Sequence, residues 1–543
     1  MIGIDYPFKE DTESKHAEAV VQTVRTVPHP FCPARNVSTR SMRFKEYAIR
    51  RNTSWQNVTD VTSGEFSSFV VRPKHREFQI CDQLELVIQA RNGLNQTKSY
   101  GGDYFRARIF TKSQTFPASS STDGEVIDHD NGTYSALFTL KWDGVVNIEV
   151  TLVHPSEAVY VLQQVQSEGF VEAAYLGGFR ENENSSKVEA TVCDSGLPKQ
   201  DGPLCNFTDA NSGSPWFCVK PRNLSCKHWF GHRSRERSVW KETRFNDKQS
   251  ILPFAKACLN ISGDVDSVNV KSHEGVSSVV HSEVLARLPS CHSTALGSQA
   301  EVAGFYWGKY WYSGSCKIRQ FSKEEAMSCL QNKSVLLLGD STIRQLFEYY
   351  AKTFHLKTNI SRKIPSWFLG PMKVLRNEYK IDITFRFHGL PIGRNRQWEI
   401  VASIDYVVNV LDNIRDAENV TVVVLALGAH FTKHFPTIFE VRIQSIVDAI
   451  HRLRERSPQT IVLFKSGNTR EHKHTGHYLT NSDWIMRDLN WRLRRIISEE
   501  NHVGFLDAWD MTNAQFAKNH VHPPSPHIEN ISNQMLSYVC PKA

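Results

Sequence analysis

The segment SVLLLGDSTIRQ, residues 334–345, decides the fold of the second half of the chain. Its aliphatic part, residues 334–339, has the uninterrupted pattern of a strand that is buried on both faces of a sheet. A helical pattern follows at residues 344–354, and Asp340 has a side chain of the kind that caps a helix. Ser341 is therefore predicted to lie at the carboxyl edge of a parallel sheet and at the start of a helix, where α/β proteins bind their ligands.

Further aliphatic runs downstream also have the pattern of buried strands, and they occupy residues 421–428, 460–465 and 503–507. Helical patterns lie between them, at residues 435–456 and 483–499, and the apolar residues of the first recur in steps of three and four. Buried strands that alternate with helices predict a parallel sheet with helices on both faces. We assign residues 301–543 to this α/β domain.

Residues 76–165 have a different pattern, in which short strands alternate apolar and polar side chains. The strands are predicted at residues 83–90, 104–110, 134–140 and 145–153, with turn signals such as Asn92-Gly93 between them. This pattern predicts a β-sandwich. Residues 124–134 and 144–152 resemble the end of a filamin-type immunoglobulin-like repeat. Residues 1–75 are polar without sustained periodicity, and we interpret them as a stem or tail.

The 11 cysteines point to an oxidising compartment. Five of them lie between residues 193 and 258, where apolar runs are few. The connector at residues 166–300 is therefore predicted to be stapled by disulfides rather than built on a large core. The odd count leaves one thiol over or pairs it with another chain. Because no Cys-x-x-Cys pair occurs, we expect no zinc or other metal site.

Asn-x-Ser/Thr motifs are dense, and they agree with the cysteines in indicating a lumenal or extracellular protein. The candidate glycosylation sites are Asn36, Asn52, Asn57, Asn95, Asn131, Asn184, Asn206, Asn223, Asn260, Asn332, Asn359, Asn419 and Asn530. Residues 1–10 lack the apolar core of a signal peptide, and no stretch reaches the about 18 apolar residues of a membrane span. We expect a protein that is secreted or resides in the Golgi lumen, with an N-terminal signal or anchor missing from the sequence.

The net charge of +7 is a mild excess for a chain of 543 residues. It is far below the dense basic face of a nucleic-acid-binding protein, so no nucleic-acid partner is expected. The basic and aromatic run at residues 227–248 is interpreted as a solvated, partly stapled loop, although its charge could attract an anionic ligand. His472, His474 and His477 are interpreted similarly, as solvated side chains of a polar loop.

Ser341 is a candidate nucleophile because of its predicted position. Its own backbone N–H lies at a helix N-terminus and can stabilise an oxyanion, while Gly339 permits a sharp turn. A nucleophilic serine also needs a base. His520 and His522, in NHVHPP at residues 519–524, follow the last predicted strand, and His522 precedes a proline that keeps its backbone extended. The alternative is a helix-capping serine without chemistry.

Four motifs occur in the order found in one family. They are GDSTIRQ at residues 339–345, LGAHF at 427–431, DAWDMT at 507–512 and VHPP at 521–524. With YGGD at 100–103 and DNGTY at 130–134, they make residues 75–543 resemble the neurexophilin and PC-esterase domain family. The resemblance implies an SGNH/GDSL-type three-layer α/β domain behind an immunoglobulin-like module of the neurexophilin type. It also implies that Ser341 is the nucleophile and His522 the base.

One position departs from the pattern of the wider SGNH superfamily near His522. Many relatives have an aspartate three residues before the histidine, where this chain has Asn519. Replacing the carboxylate of a catalytic triad by an amide costs about 10⁴ in kcat, so the orienting acid is expected elsewhere. Asp510 and Asp507 are the candidates, and Asp510 is preferred because it lies farther past the strand. A backbone carbonyl that orients His522 is the alternative.

A second departure concerns the oxyanion hole. Relatives often have Gly-x-Asn after the third strand, whereas this chain has Gly428-Ala429-His430. A histidine N–H can replace the asparagine amide, and losing such a donor costs about 10²–10³ in kcat. The predicted donors are Ser341, Gly428 and His430, with Gly389 or Gly393 as a further candidate.

The resemblance and these residues together imply acyl transfer through an acyl-Ser341 intermediate. Attack on this intermediate by a sugar hydroxyl would make the chain a glycan O-acyltransferase, and attack by water would make it an esterase. We expect O-acetylation of glycoprotein glycans, sialic acids among them, with acetyl-CoA as the acyl donor and no bound cofactor. The competing hypothesis is a secreted neurexophilin-like ligand that binds a cell-surface receptor and has an inactive hydrolase domain.

Overall fold

The computed structural model describes residues 55–74, 77–112, 120–168, 175–198, 202–234, 245, 247–272, 277–279, 288–291, 304–358, 370–392, 397–415, 420–473, 475–515 and 521–541. Several predictions concern residues outside these ranges, namely Asn519, His520, Gly393, His474 and the sequons at Asn36, Asn52, Asn359 and Asn419.

The described chain contains strands and helices in alternating groups. The strands are β1 (Ser68–Arg72), β2 (Phe78–Gln79), β3 (Gln83–Gln89), β4 (Tyr104–Phe110), β5 (Ser120–Asp123), β6 (Glu125–Asp128), β7 (Thr133–Thr139), β8 (Gly144–His154), β9 (Tyr175–Phe179), β10 (Glu189–Asp194), β11 (Leu204–Asn206), β12 (Phe217–Val219), β13 (Trp229–Ser234), β14 (Leu259–Asn260), β15 (Ser262–Gly263), β16 (Ser267–Lys271), β17 (Phe305–Trp307), β18 (Tyr310–Tyr312), β19 (Lys333–Gly339), β20 (Lys357–Thr358), β21 (Met372–Arg376), β22 (Ile381–Phe387), β23 (Glu399–Ile400), β24 (Val420–Ala426), β25 (Ile461–Lys465) and β26 (Val503–Leu506). The helices are α1 (Ser156–Glu168), α2 (Lys248–Ile251), α3 (Lys323–Leu330), α4 (Ser341–Thr353), α5 (Val407–Asp412), α6 (Pro436–Arg456), α7 (Thr475–Thr480), α8 (Asp483–Ile497), α9 (Ala508–Ala514) and α10 (Ser525–Val539).

Two β-sheets in the N-terminal half share one hydrophobic core. The strand order is β15-β1-β3-β7-β6 in the first sheet and β18-β17-β5-β4-β8-β16-β2 in the second. Alternation along β3 buries Leu84, Leu86 and Ile88, which share this core with Phe105 of β4. The four strands predicted between residues 83 and 153 are confirmed to within one residue at each end.

This β-module draws on sequence from both sides of the predicted range 76–165. β1 lies within the segment that was interpreted as a stem, whereas β14, β15 and β16 come from the connector. β17 and β18 come from the start of the predicted α/β domain. These strands have two to five residues, which is too few for a clear period-two signal in the sequence.

A third sheet lies in the connector and has the order β11-β12-β10-β9-β13-β23. The disulfides Cys193–Cys218 and Cys205–Cys226 staple it, as the density of cysteines predicts. Because β13 pairs with β23, the connector sheet ends on a strand that belongs to the α/β half of the chain. Its small core includes Tyr175, Phe179 and Trp216.

Two further disulfides lie closer to the α/β domain. Cys291 pairs with Cys316, and Cys329 of α3 pairs with Cys540 just after α10, across 211 residues of sequence. Cys258 is a free thiol of the described chain. The disulfides agree with a protein of the secretory pathway.

The α/β domain is built on a seven-stranded sheet with the order β20-β21-β22-β19-β24-β25-β26. The five strands from β22 to β26 in this order are parallel, whereas β20 and β21 form an antiparallel edge. Helices α3, α4 and α10 pack on one face, and α5, α6 and α8 pack on the other. The prediction of a parallel sheet between two helical layers is confirmed for the four predicted strands, β19, β24, β25 and β26, whereas β22 was not predicted. The antiparallel edge was missed because its strands are short and carry charged side chains.

Eight of the predicted sequons have exposed asparagines in the described chain, and these are Asn57, Asn95, Asn131, Asn184, Asn206, Asn223, Asn260 and Asn332. The prediction is wrong for Asn530, which is only 2% exposed in α10. Its amide nitrogen donates to the carbonyl oxygens of Lys309 at 2.9 Å and Pro526 at 2.8 Å. The folded chain therefore has no room for a glycan on this amide. Among the described helices, none has the length and apolar character needed to cross a bilayer.

Candidate active site

Three parallel strands end side by side at the carboxyl edge of the seven-stranded sheet. Gly339 at the end of β19 is in register with Phe387 of β22 on one side and with Ala426 of β24 on the other. Two residues beyond these three positions lie Ser341, Gly389 and Gly428. The topology therefore brings the predicted nucleophile and two predicted oxyanion-hole glycines to one level of the sheet edge.

The turn into Ser341 depends on a close approach between neighbouring strands. A Cβ atom on Gly339 would lie 1.9 Å from the carbonyl oxygen of Ala426. The backbone N–H of Asp340 donates to that same oxygen at 2.8 Å. Only glycine fits at position 339 without moving a strand, which explains the first residue of the Gly-Asp-Ser motif.

Asp340 joins this turn to the neighbouring loop. Its buried carboxylate accepts hydrogen bonds from the Thr342 N–H at 2.8 Å and the Thr342 hydroxyl at 2.7 Å, which caps α4. The second carboxylate oxygen accepts from the Ala429 N–H at 3.0 Å. Ala429 lies in the short 3₁₀ helix Gly428–His430. Asp340 thus fixes the start of α4 against the loop that carries two predicted oxyanion donors.

Ser341 and His522 are hydrogen-bonded to each other. The distance from Ser341 Oγ to His522 Nε2 is 2.7 Å, within the range that proton transfer requires. Ser341 is half-buried and His522 is exposed, so the pair can be reached from solvent. The Ser341 N–H begins α4 and has no hydrogen-bond partner within the described chain, and the helix dipole favours negative charge there. The hydroxyl of Ser341 can attack an acyl carbonyl, because the neighbouring imidazole can accept its proton and the unused N–H can stabilise the oxyanion.

A buried lysine that the sequence analysis missed contacts the start of α4. Lys465 ends β25, and its Nζ donates to the Thr342 hydroxyl at 3.3 Å and to the Ser466 carbonyl oxygen at 3.0 Å. Burial lowers the pKa of Lys465 to about 8, and the negative charge of Asp340 opposes this shift. The lysine is thus a nearby counter-charge for the buried Asp340 carboxylate. Its sequence signal is weak, namely one lysine at the end of an aliphatic strand.

The loop that carries His522 is held by two amides that the sequence analysis also missed. Gln345 Nε2 donates to the Pro523 carbonyl oxygen at 2.9 Å, and Asn468 Nδ2 donates to the Val521 carbonyl oxygen at 2.8 Å. Gln345 ends the GDSTIRQ motif, which gives no sign of this contact, and Asn468 lies in no recognised motif. Their partners lie more than 50 residues away, so only the fold reveals the contacts.

His430 is paired with a second histidine at the sheet edge. Its Nδ1 is 3.0 Å from His388 Nε2, and its ring stacks on Phe387 with 5.7 Å between centroids. Burial holds the pKa of His388 well below its usual range, and the nearby His430 and Arg442 lower it further. His388 is therefore neutral. When His388 Nε2 carries the shared proton, His430 has its own proton on Nε2 and can donate to an oxyanion.

Gly389 lies in a loop that the surrounding structure holds firmly. Its φ of 87° is in the left-handed region, and a Cβ there would lie 2.6 Å from the ring of Tyr406. The buried guanidinium of Arg442 donates to the carbonyl oxygens of His388 at 2.9 Å and Leu390 at 2.6 Å. These bonds fix the loop on both sides of Gly389.

Neither predicted orienting acid is hydrogen-bonded to His522 among the described residues. Asp507 accepts from the Asp510 N–H at 3.2 Å, which caps α9, and it forms an ion pair with Arg494. Burial raises the pKa of Asp510 well above its usual range, and the negative charges of Asp507 and Asp123 add to this shift. The role of Asp507 or Asp510 as the orienting acid stays a prediction.

The interpretation of His472 as a solvated side chain is wrong, since only 7% of it is exposed. Its Nε2 accepts from the Asp483 N–H at 3.1 Å, and its Nδ1 lies 3.7 Å from Cys258 Sγ. The ring proton of His472 therefore sits on Nδ1. Because Nδ1 already carries a proton, it cannot accept one from the Cys258 thiol. Burial also raises the pKa of Cys258 to about 11. This second pairing of a histidine with a nucleophile is structural.

Two family models match the chain. A model described as "NXPE family member 4-like, C-terminal domain" matches residues 311–540, and one described as "Neurexophilin" matches residues 59–241. The first match covers the seven-stranded sheet and the Ser341–His522 pair, and it assigns the α/β domain to the PC-esterase class. The second covers most of the β-module and the stapled connector sheet. The chain belongs to the neurexophilin and PC-esterase domain family.

Proposed function

We propose that the chain is a glycan O-acyltransferase that works through an acyl-Ser341 intermediate. The observation that carries the proposal is the 2.7 Å hydrogen bond between Ser341 Oγ and His522 Nε2 at an accessible sheet edge. In the first step, Oγ bonds to the acyl carbon while its proton passes to His522. The acyl donor is a thioester, and the bond from its acyl carbon to its sulfur breaks. The donor's thiol leaves with that proton.

The second step regenerates the serine. A sugar hydroxyl gives its proton to His522 and forms an ester with the acyl group, and Ser341 Oγ takes the proton back. The negative oxygen that develops in both steps would be stabilised by the N–H groups of Ser341, Gly428 and Gly389 and by the ring of His430. These donors lie in three loops that follow the adjacent strands β22, β19 and β24, which supports their acting together.

Acetyl is the acyl group that we propose, with acetyl-CoA as donor and sialic acids on glycoproteins as acceptors. The support is the family membership together with the disulfides and exposed sequons, which fit the secretory pathway, either the Golgi lumen or secretion. We also propose that the α/β domain is of the SGNH type and the β-module immunoglobulin-like. A five-stranded parallel sheet between two helical layers and two sheets around one core support these assignments.

Labelling with a serine-reactive fluorophosphonate tests the nucleophile directly. We expect the wild-type chain to be labelled at Ser341, and Ser341→Ala to be unlabelled while it is secreted at a normal level. Mass spectrometry of glycans from cells that express either chain tests the transfer, with O-acetyl groups expected from the wild type alone. Wild-type-like acetylation by Ser341→Ala would contradict the proposal.

A receptor-binding protein with an inactive hydrolase domain is the second candidate. The observation that favours it is the engagement of Asp507 and Asp510 away from His522 within the described chain. An esterase that uses water as acceptor has the same acyl-serine chemistry as the transferase. Capture of a cell-surface receptor by a chain that the fluorophosphonate does not label would favour the binding protein, and release of acetate without transfer would favour the esterase.

A further inference from the structure

His522 is exposed, and it lies opposite Ser341. Its backbone is held on both sides by side-chain hydrogen bonds. The carbonyl oxygen of Val521, just before it, accepts from Asn468 Nδ2 at 2.8 Å, and that of Pro523, just after it, accepts from Gln345 Nε2 at 2.9 Å. The three residues 521–523 are thus held between two side-chain amides.

Both amides stand on rigid parts of the site. Gln345 lies one turn after Ser341 on α4, so its hydrogen bond ties the histidine loop to the helix that carries the serine. Asn468 is 2% exposed and makes a second bond to the Thr469 carbonyl oxygen at 3.1 Å. Thr469 is itself bonded twice to Thr512 of α9, at 3.0 and 3.1 Å.

The carbonyl oxygens of the two side-chain amides show why an amide is needed at positions 345 and 468. Gln345 Oε1 and Asn468 Oδ1 are buried, and neither has a hydrogen-bond partner. An apolar side chain of the same shape would avoid the cost of burying an unpaired oxygen. The N–H groups that hold the loop are the feature that an apolar side chain could not supply.

We propose that Gln345 and Asn468 are positioning residues that set the distance between Ser341 Oγ and His522 Nε2. This inference rests on the proposed function, in which His522 takes the serine proton. Displacing a catalytic group by about 1 Å can cost about 10² in rate, so loosening the loop lowers the reaction rate while substrate binding and folding change little.

The test uses the full chain and the rate constant for fluorophosphonate labelling of Ser341. Gln345→Met keeps the length of the side chain and removes the donor, and we expect labelling to slow by about 10- to 100-fold. Gln444→Met is the matched control, because Gln444 is exposed on α6 and bonds only to Asp448 in the described chain. Its labelling rate should equal that of the wild type.

A pH profile separates positioning from a general structural effect. In Gln345→Glu the ionised carboxylate cannot donate to the Pro523 carbonyl, whereas the protonated acid can. The labelling rate of Gln345→Glu, divided by that of the wild type, should therefore rise as pH falls toward the pKa of the new carboxyl. Asn468→Leu should slow labelling in the same way as Gln345→Met, without a change in its pH dependence.

Hydrogen exchange gives a readout that does not depend on activity. We expect the peptide that contains residues 521–527 to exchange faster in Gln345→Met than in the wild type and in Gln444→Met. Equal exchange and equal labelling in Gln345→Met and the wild type would overturn the inference. A wild type that the probe does not label would contradict the proposed function instead, and the exchange comparison would still decide whether Gln345 holds the loop.

Discussion

The hydroxyl of Ser341 and the ring of His522 are 181 residues apart in sequence, and 2.7 Å separate Oγ from Nε2. The serine starts the first helix after β19, and the histidine lies in the loop between α9 and α10. Their meeting depends on the parallel order of the sheet, which places both connections at its carboxyl edge.

Removing the imidazole tests the role of His522. We expect His522→Gln to lower the fluorophosphonate labelling rate of Ser341 by about 10²–10⁴, because no group then accepts the serine proton. The ring is exposed, so the melting temperature should stay within a few degrees of the wild type. A labelling rate within twofold of the wild type would contradict the assignment of His522 as base.

Replacing Asp510 tests whether it belongs to the catalytic group. Its raised pKa favours the neutral carboxyl, which an asparagine mimics, so Asp510→Asn should label at Ser341 within a fewfold of the wild type. An orienting carboxylate of a triad would instead show a loss of about 10⁴. A loss of that size in Asp510→Asn would restore Asp510 as the orienting acid.

The histidine pair at positions 388 and 430 should affect turnover more than substrate binding. If the His430 ring donates to the oxyanion, His430→Ala lowers kcat by about 10²–10³, with a smaller change in KM. His388→Phe should give part of the same loss, because the proton that sets the tautomer of His430 is then missing. Steady-state kinetics with an activated acetyl ester measures both parameters, and an unchanged kcat in His430→Ala would remove this ring from the oxyanion hole.

Gly339→Ala should be costly, because the added Cβ would lie 1.9 Å from the Ala426 carbonyl oxygen and a backbone must move. We expect the free energy of unfolding to fall by about 1–3 kcal/mol, with a loss of labelling at Ser341. Gly196→Ala is the control, since its Cβ would meet only Phe435, at an ordinary 3.8 Å. Equal stability of the two variants in urea unfolding would contradict the close approach of β19 and β24.

The contact between the β-module and α9 should make stability depend on pH. Burial raises the pKa of Asp123 to about 6, while its hydrogen bond from Asn513 at 3.1 Å and the nearby Lys141 favour the charged form. A carboxyl whose pKa is raised by folding contributes stability that is present below about pH 4 and lost as pH rises through about 6. Between pH 4 and pH 7 the free energy of unfolding of the wild type should therefore fall by about 2–3 kcal/mol more than that of Asp123→Asn.

Urea unfolding of the wild type and Asp123→Asn at several pH values measures this effect. Asp448→Asn, on the exposed face of α6, is the control and should follow the wild type. Parallel pH profiles of Asp123→Asn and the wild type would show that Asp123 is not buried in this contact.

The local elements of the site could be predicted from the sequence because their signals are local. Residues 334–339 are aliphatic, and the predicted strand became β19, while the helical period of residues 435–456 became α6. The ordered motifs around Ser341 and His522 also identified the family. Each of these signals is contained within a few neighbouring residues.

The interactions of single side chains could not be predicted in this way. His472 lies in a polar segment, yet it is buried. Asn530 belongs to a sequon, yet it is buried in α10 and donates to the Lys309 carbonyl oxygen. Asp510 follows a strand in the manner of a catalytic acid, yet burial and the negative charges of Asp507 and Asp123 raise its pKa. Lys465 gave no signal before β25 was placed next to the start of α4.

By itself, the sequence determined four long strands of the β-module, four parallel strands of the α/β sheet with the helices between them, the stapling of the connector and the family of the chain. The tertiary structure alone decided which distant groups share the sheet edge, including the bonds of Gln345 and Asn468 to the His522 loop. The physical reason is that backbone propensity and hydrophobic period act between near neighbours in sequence. Hydrogen bonds and charges act between whichever groups the packed core brings within a few ångströms.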